Sequence, residues 1–90
     1  MNDIAIINQE ELDGGWQFVV EIDGEEHLVS IDEAHWQKLT GGHVEPGDLI
    51  RESLDFLLAR EPRESIMKEF NLLEINQYFP EYEQEMKRLS

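Results

Sequence analysis

Three histidines are the side chains in this sequence best suited to acid–base or metal chemistry: His27, His35 and His43. Histidine titrates near neutral pH and binds transition metals through its ring nitrogens. Helical zinc motifs place two histidines four residues apart around a glutamate, and none of these three has that spacing. We therefore expect no metal site, and we interpret His27 as a packed or hydrogen-bonded residue on the core face of a strand.

The segment Thr40-Gly41-Gly42-His43 superficially resembles a phosphate-binding loop, but no lysine follows it. We interpret it as the end of a helix and a flexible connection, since glycine accepts the left-handed conformation found there. No serine lies in a Gly-x-Ser-x-Gly motif, and a domain of this size has little volume for a deep pocket. We expect no catalytic residues, no cofactor and no enzymatic activity.

Acidic residues are the dominant feature of the composition. The chain has 21 Asp and Glu against 7 Lys and Arg, a formal net charge of -14, and residues 1–45 carry 11 of the acids and a single base. Glu21, Asp23, Glu25 and Glu26 are the acidic residues predicted to form a partner-binding face. Such a face is either a solvated surface that favours solubility or a docking surface for a basic partner, and both interpretations stay open.

The same composition excludes several classes of protein. Binding to nucleic acid or to an anionic membrane requires Lys and Arg, which are scarce here. The absence of cysteine excludes disulfides and thiolate metal sites. No signal peptide and no segment long enough to cross a bilayer is apparent, so we expect a cytoplasmic protein.

Residues 16–31 carry the clearest structural signal, a β-hairpin. Trp16–Ile22 is rich in β-branched and aromatic residues, and Asp23-Gly24 is the dipeptide that a two-residue type I′ turn prefers. This turn places Val20 opposite His27. The apolar face then carries Trp16, Phe18, Val20, Val29 and Ile31, whereas the other face carries Gln17, Glu21, Glu26 and Ser30 around one apolar pair, Val19 and Leu28.

A third strand is predicted at Ile4–Ile7, because a two-stranded ribbon alone is only marginally stable. Asp13-Gly14-Gly15 would connect it to the hairpin. After the strands, Ser30 and Glu33 have the spacing of a capping box, with Asp32 as an alternative cap, and predict a helix that ends near Leu39.

Each of the three prolines is predicted to begin a helix, since the first turn tolerates the missing N–H group. Pro46 begins the strongest helix, which ends near Glu61, and Pro62 begins a shorter one. Asn71 and Glu74 have capping-box spacing and predict a further segment before the last helix, which follows Pro80. The apolar positions expected to face inward are Leu49, Ile50, Leu54, Leu57 and Leu58, then Ile66, Met67 and Phe70, then Leu72, Leu73 and Ile75, and finally Tyr82, Met86 and Leu89.

The order of strand, helix, glycine turn and helix over residues 27–58 resembles a ribbon-helix-helix unit. The segments involved are 27–31, Asp32–Leu39 and Asp48–Leu58, about a third of the chain. In that family two copies intertwine, and outward strand residues read the major groove of DNA. The resemblance therefore implies a dimeric DNA-binding regulator.

Two further resemblances extend beyond that unit. A β-meander followed by a helix is loosely similar to small antitoxins of the HicB kind. The segments Phe56–Ile66 and Tyr78–Glu83 resemble a family of short acidic bacterial proteins to which no function is assigned.

These observations predict one α+β domain over residues 1–90. An N-terminal antiparallel β-meander of two or three strands occupies residues 1–31, and four or five short helices occupy residues 32–90. We expect a non-enzymatic protein-binding or regulatory module, with Trp36, Tyr78 and Tyr82 as aromatic residues available for contact. The alternative is a ribbon-helix-helix-like DNA-binding regulator or antitoxin. A protein partner is expected, nucleic acid and membrane are not, and a homodimer stays open.

Overall fold

A computed structural model of the protein describes residues 3–89, in which a four-stranded mixed sheet is covered on one face by helices. The strands, in their order across the sheet, are β1 (Ile4–Leu12), β2 (Gly15–Ile22), β3 (Glu25–Asp32) and β4 (Glu69–Asn71). The helices are α1 (Glu33–Thr40), α2 (Pro46–Leu58), α3 (Ile75–Tyr78) and α4 (Tyr82–Lys87), with 3₁₀ turns at Arg63–Ser65 and Leu72–Glu74. The predicted α+β class, with the strands first, is confirmed.

The hairpin of β2 and β3 has the predicted register. Asp23 and Gly24 both have positive φ angles, 52° and 88°, as a type I′ turn requires. Val20 lies opposite His27. Alternate side chains therefore share one face, and this inner face is buried at Phe18, Val20, Ile22, His27, Val29 and Ile31.

β1 confirms the predicted first strand and extends it to Leu12. A bulge between Ile6 and Asn8 shifts its register against β2. Ile4 and Ile6 pack against the core, whereas every residue after the bulge is exposed. Arg51 of α2 donates a hydrogen bond to the carbonyl oxygen of Ile4 at 3.0 Å, which connects this edge strand to the helical layer.

The segment after Pro62 differs from the prediction. Its α-helix is absent, and residues 69–71 instead form β4, which pairs in parallel with Leu28–Ser30. The N–H of Leu28 donates to the carbonyl of Lys68 at 2.7 Å. The spacing of apolar residues here is helical, but the edge of β3 supplies partners for backbone groups that would otherwise be unpaired, and this long-range pairing decides the structure. The sheet consequently has a fourth strand within the part predicted to be helical.

The predicted helix starts are correct in part. α2 begins at Pro46, and the capping box of Asn71 and Glu74 is present, with the Glu74 carboxylate accepting from the Asn71 N–H at 3.0 Å. The predicted capping box of Ser30 and Glu33 is wrong, because Ser30 lies within β3. Asp32 precedes α1, but its carboxylate accepts from the side-chain amide of Asn71 at 3.3 Å instead of capping the helix.

The core lies between the inner face of the sheet and the helices. α4 contacts both α1 and α2, so the C-terminal segment completes the helical layer. Phe56 of α2 packs edge-on against Phe79 and Tyr82, with ring centroids 5.9 and 5.3 Å away. No helix within residues 3–89 is sufficiently long and apolar to cross a membrane.

Candidate functional site

The four acidic residues predicted to bind a partner lie in two separate pairs. Glu21 and Glu26 are directly opposite each other on β2 and β3, on the face of the sheet away from the helices. Asp23 and Glu25 lie at the tip of the hairpin, where the Arg63 guanidinium is 3.7 Å from the Asp23 carboxylate and 3.6 Å from that of Glu25. The tip is thus partly neutralised, whereas the pair on the sheet is not.

The face of the sheet that carries Glu21 and Glu26 is here called the outer face. None of its side chains is buried within the described strands, and Val19 and Leu28 form its half-buried apolar centre. The strand register adds three acidic residues that the hairpin alone could not identify. The acidic side chains on this face are Glu10, Glu21, Glu26, Asp32 and Glu69. No Lys or Arg occupies an outward position of the described strands.

The three histidines lie on different elements, in β3, in α1 and in the loop between α1 and α2. His27 is buried on the inner face, and its Nδ1 donates to the carbonyl of Met67 at 2.8 Å, which confirms the interpretation of a hydrogen-bonded core residue. Its Nε2 is buried and has no hydrogen-bond partner within residues 3–89.

His35 is the histidine with a charged environment. It is buried, and its Nε2 lies 3.5 Å from the Glu83 carboxylate of α4, which the Lys38 ammonium also contacts at 3.2 Å. Burial lowers the pKa of His35, and the neighbouring Glu83 opposes that shift only in part. At neutral pH the ring is therefore neutral and contacts α4, while neither of its nitrogens has a hydrogen-bond partner within residues 3–89.

The hydroxyl groups of Ser53 and Tyr82 are 2.6 Å apart in the core. Burial raises the pKa of Tyr82, so its hydroxyl remains protonated and joins α2 to α4 by a hydrogen bond. The prediction that Tyr82 is available for contact is wrong, because it is fully buried. Trp36 is half-buried with its ring edge-on to Trp16, and Tyr78 is exposed.

The glycine loop after α1 is a helix C-cap, as predicted. Gly41 has a φ of 65°, and its N–H donates to the carbonyl of Gln37 at 2.8 Å. The Thr40 hydroxyl donates to the carbonyl of Trp36 at 2.8 Å and accepts from the N–H of Gly42 at 3.1 Å. These bonds satisfy the end of the helix.

An apolar cleft of about 210 Å³ lies between the end of α2, the segment 65–67, β4 and α3. Its apolar walls include Ile66, Phe70 and Ile75, and two carboxylates, Glu61 and Glu74, also line it. Sequence reasoning missed this cleft, since residues from four separate segments form it and the segment after Pro62 was predicted as a helix.

Within residues 3–89 no group of three or more His, Asp or Glu side chains is arranged to hold a metal ion. What the described surface offers chemically is charge and apolar area. No protein-family model matches the chain, and neither a curated protein nor a solved structure shows significant similarity to it.

Proposed function

We propose that this chain is a non-enzymatic, cytoplasmic protein-binding or regulatory module whose partner presents a basic surface to the outer face. The observation that carries the proposal is the outer face itself. It is uncovered, it bears five carboxylates around the apolar pair Val19 and Leu28, and its described strands present no outward Lys or Arg.

The pair Glu21 and Glu26 supports this proposal energetically. Like charges directly opposite each other in a sheet are destabilising, by an amount comparable to the roughly 0.2–1 kcal/mol that favourable pairs contribute. Lys or Arg side chains of a partner would replace this repulsion with attraction and would also steer the encounter. The apolar pair beside them supplies area that a partner can bury.

Affinity capture with matched variants tests the proposal. The double variant Glu21→Gln/Glu26→Gln removes two charges from the outer face. The control Glu52→Gln/Asp55→Asn removes two exposed charges from α2, so both variants have the same net charge. We expect the wild type and the control variant to capture basic proteins from a cell lysate, and the outer-face variant to lose them. Equal capture by both variants would show that net charge alone is responsible.

The second candidate, a ribbon-helix-helix-like DNA-binding regulator, has less support. In that arrangement one strand of each copy pairs with its twin, whereas β3 already has hydrogen-bonded neighbours on both sides over Leu28–Ser30. Migration of duplex DNA in a gel at low salt tests it, since electrostatic binding is strongest there. A retarded band at stoichiometric protein would favour this candidate over the first.

A further inference from the structure

The cleft beside α3 has the features of a binding site, and core residues form its walls. It has a volume of about 210 Å³, which is comparable to that of one or two large side chains, so it can accept a side chain but not a whole element of a partner. Ile66, Phe70 and Ile75 are buried in its walls. A small, concave, mainly apolar site of this kind is suited to one anchoring side chain of a ligand.

Two apolar residues at this cleft are unusually exposed. Tyr78 is 68% exposed and Met67 is 43% exposed. Tyrosine is enriched at protein interfaces, and methionine adapts its shape to different ligands. Leaving both in water provides no stability to the isolated chain, and covering them with a partner would bury apolar area.

The charge of the cleft indicates which ligand would enter. Glu61 and Glu74 are its only ionisable acids or bases, apart from the Tyr78 hydroxyl. One Glu74 oxygen accepts the N–H of Asn71, whereas the half-buried Glu61 carboxylate has no ion pair and accepts no hydrogen bond within residues 3–89. An unpaired carboxylate beside an apolar wall favours a cation that carries its own apolar group.

A second copy of this chain is a poor occupant. Its other exposed large apolar residues are Ile7, Leu12 and Leu73. None of them is adjacent to Lys or Arg, and Leu12 and Leu73 each have an acidic neighbour in the sequence. A second copy would therefore bring negative charge to Glu61 with Leu12 or Leu73, and no cation with Ile7. Insertion of its Met67, which Lys68 follows, would bring the two clefts together, each with Glu61 and Glu74 in its lining.

We infer that the cleft binds a short segment of a partner protein in which a large apolar side chain, inserted between Tyr78 and Met67, is flanked by a lysine or arginine that pairs with Glu61. This inference rests on the proposed function, since it takes the partner to be a basic protein, but it uses a surface distinct from the outer face. It assigns to the cleft the recognition of one side chain.

Synthetic peptides and amide NMR spectra of the full chain test this inference. The probe is a capped hexapeptide with a central phenylalanine between two lysines, and its controls replace phenylalanine by alanine or both lysines by serine. We expect the probe to shift the resonances of Ile66, Ile75 and Tyr78, and each control peptide to shift them far less. The variant Glu61→Gln should weaken binding about fivefold, whereas the exposed control Glu52→Gln should not.

The NMR results that would contradict the inference also show whether the cleft site or the proposed function is wrong. Shifts confined to the outer face would overturn the cleft and leave the proposed function intact. Cleft shifts that do not depend on the lysines, or that survive Tyr78→Ala, would overturn the recognition of a flanked apolar anchor. Cleft resonances that move with protein concentration alone would identify a second copy as the occupant, and no shift at millimolar probe would exclude the site.

Discussion

Two side-chain contacts connect α4 to the rest of the core, one to Ser53 of α2 and one to His35 of α1, and they differ in their chemistry. The Ser53 and Tyr82 hydroxyl groups satisfy each other in the core, 2.6 Å apart. His35 is held neutral by burial although Glu83 lies 3.5 Å away. The first contact is independent of pH over the physiological range, and the second is not.

The loss of unfolding free energy should depend on which of the two hydroxyl groups is removed. We expect Ser53→Ala to cost about 1–3 kcal/mol of unfolding free energy, because it leaves the buried Tyr82 hydroxyl without a partner. Tyr82→Phe should cost less, since the Ser53 hydroxyl retains the Met86 sulfur at 3.7 Å. Urea denaturation of both variants measures the difference. Equal stability of Ser53→Ala and the wild type would show that the hydrogen bond contributes nothing.

His35 should make the stability depend on pH in one direction. Burial lowers its pKa in the folded state below the ordinary value of 6.5, so the unfolded chain binds protons more readily. Its contribution is therefore present above pH 6.5 and is lost as the pH falls below that value and through the lower pKa of the folded state. We expect wild type and His35→Gln to diverge in the slope of unfolding free energy between about pH 7.5 and 5.5.

The exposed His43 supplies the control for that measurement. The variant His43→Gln removes an exposed imidazole from the loop before α2 and controls for the loss of a histidine as such. If His35→Gln also retained the wild-type slope, the titration of another group would have to explain it.

The secondary-structure elements that could be predicted from the sequence are those fixed by residues close together in the chain. The Asp23-Gly24 turn fixes the register of β2 and β3, and the alternation of apolar residues then fixes which face is buried. The helix start at Pro46 and the capping box at Asn71 depend on residues within one turn of each other. These features need no knowledge of the rest of the chain.

What could not be predicted depends on residues far apart in the sequence. β4 has only three residues, and its apolar neighbours have helical spacing, so nothing local distinguishes it from a helix. It is extended because β3 presents an edge to it. The cleft was missed for the same reason, whereas Glu21 and Glu26 were placed on one face because the hairpin register is local.

The close approach of β2 to β3 gives an element-scale prediction. A Cβ atom at Gly15 would collide with the backbone carbonyl oxygen of Ile31, which cannot move without separating the strands. We expect Gly15→Ala to reach the upper end of the roughly 1–3 kcal/mol that overpacking costs. Gly47→Ala is the matched control, since the nearest atom there is the tip of the Ile6 side chain at 3.4 Å.

Thermal unfolding followed by circular dichroism measures both glycine variants. Gly47→Ala should be close to the wild type, because alanine also favours the helical conformation of α2. A small effect of Gly15→Ala would mean that the strands separate at little cost.

The whole molecule carries a formal net charge of -14. Charges of one sign on a domain this small repel each other in the folded state. At 0.1 M salt the repulsion between exposed charges more than about 10 Å apart is largely screened. The six ion pairs that Lys and Arg are described as forming within residues 3–89 lie at exposed or half-exposed positions and offset little of it.

Added salt should therefore stabilise the protein at neutral pH. We expect the melting temperature to rise by several degrees between about 10 mM and 0.5 M NaCl, where screening is most effective. The same addition near the isoelectric point of about 4.3 should have little effect, which controls for other actions of salt. A melting temperature that falls with salt at neutral pH would show that attractive ion pairs outweigh the repulsion.

The position of β4 late in the chain has a consequence for biosynthesis. His27 on β3 and Met67 beside β4 are hydrogen-bonded although they are 40 residues apart, so a ribosome releases the meander long before its fourth strand. During that interval the nascent chain exposes both an apolar sheet face and an unpaired strand edge, the combination most prone to aggregation. The first 45 residues carry 11 acids and one base, and repulsion between such segments is expected to oppose association of neighbouring nascent chains until the C-terminal segment completes the fold.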